Sequence, residues 1–170
     1  MALKHVYCIR PQCEPSNELL KELLATWNAK RGVHELPTRA ELMPRDLKKV
    51  LPFVTLARVV DDDDFEFRII GEEVIYAYGE NFTGRRLSAL GDKVTDLVKH
   101  AYRSTALARK PVLLEGWFKE MDLKAFRREI LLLPLGLSGQ CAEYVLSAGV
   151  YERTRPLGAQ QRVVADLTPA

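Results

Sequence analysis

Cysteine is scarce in this chain: Cys8, Cys13 and Cys141 are all it holds across 170 residues. An odd, sparse count excludes a disulfide framework and fits a reducing compartment. Four residues separate Cys8 from Cys13, and no second Cys/His pair follows at zinc-ligand spacing. Long apolar runs are also missing. The longest, Ile130 to Leu137, is the size of a strand and far short of the roughly 18 residues a membrane span needs. Lys4, His5 and Arg10 break up the start, so no signal-peptide core is present and a cytoplasmic protein is expected. Nor does one sign of charge dominate. Lys and Arg number 25 against 23 Asp and Glu, which lacks the concentrated basic excess of a nucleic-acid binder.

Catalytic signatures are equally thin. The chain carries no G-x-S-x-G elbow, Walker loop or H-E-x-x-H pair. Its three histidines, His5, His34 and His100, are far apart, and none sits near Ser or Cys at a suggestive spacing. Asp61 to Asp64 are consecutive acids, whereas a calcium loop spreads its ligands over alternate positions around a glycine. A solvated hairpin turn is the expectation there.

What is present is an ordinary globular composition, 47% hydrophobic and 28% charged, in a length that suits one domain. Pro15-Ser16-Asn17 supplies a helix start, and Leu19, Leu20, Leu23, Leu24 and Trp27 recur at helical spacing up to a stop at Gly32. Pro44 fits the first turn of a short helix running to about Val50, closed by Pro52. Residues 53–60 and 65–70 predict a hairpin, the second strand alternating through Phe65, Phe67 and Ile69. Glu72 and Glu73 open a short helix that Gly79 and Gly84 interrupt. A longer helix starts at Asp92, with Val94, Leu97, Val98, Ala101, Tyr102 and Leu107 on its apolar face, and Pro111 ends it. Residues 112–118, 128–135 and 143–151 predict three further strands. A hairpin, a helical excursion and a meander close into one antiparallel sheet, so an α+β fold is expected.

Three stretches carry a family resemblance. They are Phe67-Arg68-Ile69-Ile70-Gly71, then Tyr78-Gly79, then Phe82-Thr83-Gly84-Arg85-Arg86-Leu87. Their R-x-x-G strand end and T-G-R-x-L turn resemble a single-domain bacterial PAS family. Trp27, Lys30-Arg31, Leu36-Pro37 and Pro44 upstream, and the Leu133-Pro134-Leu135 strand end downstream, extend the likeness over roughly Trp27 to Tyr151. The resemblance implies a PAS-like five-stranded antiparallel sheet with helices on one face, preceded by an N-terminal helix. It divides the chain into an N-terminal extension (1–32), a PAS-like domain (33–153) and a C-terminal tail (154–170). Pro134 cannot donate to a ladder, so it belongs at a strand end or bulge.

The function implied is a stand-alone sensory or regulatory domain, not an enzyme, that binds a small ligand, a protein partner or both. The alternative is a small enzyme on an α+β scaffold with an unrecognised site. No cofactor is named by the residues. Flavin-binding relatives carry a reactive cysteine in the short helical stretch after the hairpin, and Glu80 to Leu90 holds none. His100, on the long helix, is the one position where haem ligation is conceivable. Phe67, Ile69, Ile75, Tyr78, Leu114 and Phe118 either line a ligand pocket or fill a core, with Arg85 as a candidate polar contact. The stripe Leu19, Leu20, Leu23, Leu24 and Trp27 packs either on its own sheet or on a second copy, and a homodimer through this helix is the expectation.

Overall fold

The computed structural model describes residues 6–11, 14–61, 63–119, 125–137 and 139–153. Its first element is β1 (Val6–Pro11), followed by α1 (Glu18–Arg31). Short 3-10 turns at Pro44–Leu47 and Leu51–Phe53 lead into the hairpin of β2 (Val54–Asp61) and β3 (Asp64–Ile70). Next come α2 (Glu72–Tyr78), a 3-10 segment at Leu87–Lys93 and α3 (Asp96–Ala108). The meander is β4 (Val112–Lys119), β5 (Ala125–Leu135) and β6 (Tyr144–Arg153). The five expected strands thus form, and β1 joins them as a sixth. The tail from 154 onward lies outside the described residues.

All pairings are antiparallel, in the order β1-β4-β5-β6-β2-β3. Interrupting charges hid β1 from periodicity, because an edge strand needs only backbone pairing, and β4 supplies it from Val6↔Trp117 to Pro11↔Val112. Pro134 sits one residue from the end of β5, past the last β4 pair at Val112↔Leu132. There β6 alone runs alongside, so the missing N–H takes nothing from the ladder on the β4 side.

Both faces of the sheet are covered. On one side, α2, the 3-10 segment and α3 pack on Phe65, Phe67, Leu114, Ile130, Leu132 and Val145. On the other, α1 and the connection after it bring Leu20, Leu23, Trp27, Leu36 and Leu47 onto Leu113, Leu131, Leu133, Leu135 and Leu146. The uninterrupted apolar run Ile130–Leu135 is the signature of this, since alternate residues serve opposite cores.

The N-terminal helix therefore belongs to the chain's own core. Leu20 is 0% exposed, and Leu23 and Trp27 are 3% exposed. Trp27 Nε1 donates to the Pro134 carbonyl at 2.9 Å. Its start is fastened by Glu129, a buried carboxylate on β5. That carboxylate accepts from the Ser16 N–H at 3.1 Å, the Asn17 N–H at 2.9 Å and the Ser16 hydroxyl. A carboxylate just ahead of a helix also meets the positive end of its dipole. Leu20, Leu23 and Trp27 are thus not available to a second chain, which corrects the interface expectation for those three. Leu24 is half-buried against the same core, and Leu19 is half-buried.

Candidate functional site

Between the sheet and its α2–α3 layer lies a cavity of about 50 Å3. Its apolar wall is aromatic and comes from β3, α2, α3 and the loop after α2. Phe67 and Phe82 meet edge to face at 4.8 Å, Tyr78 and Phe82 at 5.4 Å, and Phe67 and Tyr102 at 6.2 Å. Such T-shaped pairs hold the rings in one arrangement. Its polar groups come chiefly from the sheet: Thr55 on β2, Arg128 on β5 and Ser147 on β6. The Tyr102 hydroxyl from α3 is 2.8 Å from Ser147 Oγ, a buried pair. Burial pushes the Tyr102 phenol above its ordinary range, against the opposing pull of the Ser147 bond and the nearby Arg128 charge. The hydroxyl is therefore a neutral donor and acceptor. Gly149 lies beside the Arg128 guanidinium, whose Nη2 is 3.5 Å from where a Cβ would stand, an ordinary contact distance. Glu73, exposed on α2, lines the cavity too.

Local features hold the wall in place. Gly71 joins β3 to α2 where a Cβ would run into the Leu51 and Pro52 carbonyl oxygens, and its N–H bonds to Val54 O at 2.8 Å. Gly79 ends α2 at φ 74°. The Phe82–Arg86 turn is laid along β3: Gly84 N donates to Phe67 O at 2.7 Å and Phe67 N to Arg85 O at 3.0 Å. The acidic run after β2 is partly a clamp. Asp64 accepts from the Ser88 N–H at 3.1 Å and the Ser88 hydroxyl at 2.7 Å, and Arg86 pairs with Asp61 at 2.9 Å. Partial burial works against the Asp64 charge, but bonds from Ser88 and from the Phe65 N–H outweigh it and hold its carboxyl below the usual range.

Two of the seven expected pocket residues, Phe67 and Tyr78, line this cavity. Leu114 is 0% exposed and belongs to the filled part of the same core, and Ile75 is half-buried on α2 outside the lining. Ile69 is on the other face. A register shift between Leu56↔Ile69 and Ala57↔Phe67 inserts one residue, Arg68, into β3. That bulge reverses the alternation, so Ile70 joins the α2–α3 core while Ile69 borders the groove beside Leu47 and Leu146. Arg85 is exposed and faces Glu80 at 3.4 Å. The side chain of Phe118 lies outside the described ones. His100 is exposed on α3, 3.2 Å from Ser104 Oγ, and does not line the cavity, so haem ligation there has no structural basis. Leu107, expected on the inner face of α3, is 71% exposed.

Sequence reasoning missed Thr55, Tyr102, Arg128 and Ser147 as site residues. Single polar residues in strands carry no periodic signal. The one available hint was the charged pair Arg128-Glu129 just ahead of the apolar run from Ile130.

Among the described residues, no helix is long and apolar enough to cross a membrane and no group of three or more His, Cys, Asp or Glu is placed to hold a metal. No curated protein matches this chain. A solved structure that it resembles is an RNA-binding light-oxygen-voltage receptor, at 17% identity and a TM-score of 0.50. The match covers 88% of this chain and 40% of the receptor, so the chain spans less than half of that protein's length. A family model described as PAS domain matches residues 16–148, a span that takes in α1, the hairpin, α2, α3 and the meander as far as β6. The chain belongs to the PAS domain family.

Proposed function

We propose that this PAS domain is a non-enzymatic, cytoplasmic sensory module whose input is a small molecule held between the sheet and the α2–α3 layer. Its output is contact with another protein chain. The observation that carries the reading is the cavity itself, which combines an aromatic wall with converging polar groups from three strands and α3. A few placed polar groups in an apolar recess are the usual make-up of a ligand site. The volume of about 50 Å3 has room for roughly three to five water-sized groups. A tricyclic flavin does not fit it, and no cysteine lies on Glu80–Leu90 to form an adduct. The RNA binding of the light-oxygen-voltage receptor is not carried over at 17% identity.

Homodimerisation remains part of the proposal, through a surface other than the buried Leu20–Leu23–Trp27 stripe. Of the described histidines, neither His34 nor His100 lines the cavity.

The test is a panel of small acidic, basic and neutral metabolites screened by NMR chemical-shift perturbation. The expected result is that at least one compound shifts Thr55, Ser147 and Gly149 together. If no member of the panel reaches these residues, the cavity is a packing gap and the sensory reading fails. Sedimentation with and without the bound compound then reports on assembly.

A further inference from the structure

We infer that the ligand of this cavity is a small monocarboxylate, its acid group against Arg128 and its short apolar tail against the aromatic wall. The inference rests on the sensory-pocket reading and adds the chemical class. Three observations lead to it. The first is charge: Arg128 brings a guanidinium to the sheet side of the recess, beside Gly149. Guanidinium presents paired N–H donors that match a carboxylate, and such charge-assisted bonds strengthen away from water.

The second is the arrangement of neutral groups. The Tyr102 and Ser147 hydroxyls, 2.8 Å apart, lie with Thr55 among the lining residues, so a bound oxygen has donors beyond the guanidinium. Phe67, Tyr78 and Phe82 supply the apolar side, where a hydrocarbon tail is favoured and a second charged group is not. The third is Glu73, a carboxylate in the lining on the α2 side. It repels a second acid group on the ligand and so selects monoacids over diacids. The volume of about 50 Å3 limits the enclosed part to an acid of about two to four carbons.

The experiment compares sodium butyrate with butyramide, which keeps the shape and removes the charge, by NMR titration of the whole chain at constant ionic strength. Butyrate is expected to shift Thr55, Ser147 and Gly149 saturably, with butyramide at least about tenfold weaker and succinate weaker than butyrate. Arg128→Met is expected to lower butyrate affinity at least about tenfold while Arg128→Lys keeps part of it. Should Arg128→Met fail to fold, the butyrate–butyramide pair on the unaltered chain decides. Equal binding of butyrate and butyramide at these residues overturns the acid assignment and leaves the sensory pocket standing. Binding of neutral or basic compounds but no carboxylate does the same. Absence of any compound from the cavity overturns both.

Discussion

Replacing Leu20 by alanine tests whether the N-terminal helix is core or contact surface. Leu20 is 0% exposed and sits in one cluster with Leu131 and Leu133 of the central strand β5. Truncation removes buried methyl groups and leaves a void, because neighbours held in a six-stranded sheet cannot collapse into it. Leu→Ala at such sites costs about 2–5 kcal/mol, and the rigid surroundings place this one in the upper half, about 3–5 kcal/mol. For a domain of this length each kcal/mol lowers Tm by roughly 2–4 °C, so a fall of about 6–20 °C is expected. Leu19→Ala is the control: Leu19 is only half-buried, and its loss is about 1 kcal/mol or less. Urea unfolding followed by circular dichroism, with sedimentation velocity on the same samples, gives both stability and assembly. A Leu20→Ala protein that melts within about 2 °C of the unaltered chain but sediments as a smaller species would refute the argument. That result would make α1 an interface after all.

Other outcomes follow from the same geometry. Glu129→Leu leaves the Ser16 and Asn17 N–H groups without their buried acceptor and is expected to cost about 2–4 kcal/mol, with faster amide exchange at the start of α1 than Glu129→Gln shows. Unchanged exchange there would contradict the fastening role. Gly71→Ala drives a methyl into the Leu51 and Pro52 carbonyl oxygens and should destabilise by about 1–3 kcal/mol or more, read as a lower urea midpoint. Asp64 has a depressed carboxyl, so its contribution is present above its ordinary value of 3.8 and is lost as pH falls through the lower folded value. Asp64→Asn should therefore be less stable than the parent at pH 7 and converge with it in acid. A stability gap independent of pH would refute that assignment.

The character of most segments, though not of β1, was legible in local pattern. Alternation through Phe65 and Phe67, the apolar run from Ile130 and the spacing of Leu20, Leu23 and Trp27 correspond to β3, β5 and α1, because periodicity reflects which side of an element is buried. Gly71, Gly79 and the Thr83-Gly84 turn marked the places where the backbone bends, and the same inward periodicity placed Phe67 and Tyr78 on the core side, as pocket lining or core filling. Which surface each side meets was decided only in three dimensions. The stripe on α1 looks the same whether it covers its own sheet or a second copy. The choice rests on Glu129 and Pro134, more than a hundred residues away in the chain, which receive the N–H groups just ahead of its first turn and its indole. Ile69 follows the strand period of Phe67 but is turned to the opposite face by one extra residue, Arg68, in the pairing with β2. Likewise the polar side of the cavity is built from single residues of β2, β5, β6 and α3, each unremarkable alone. Local sequence records the demand for burial along one element, whereas a site assembled from four elements exists only once their register is set.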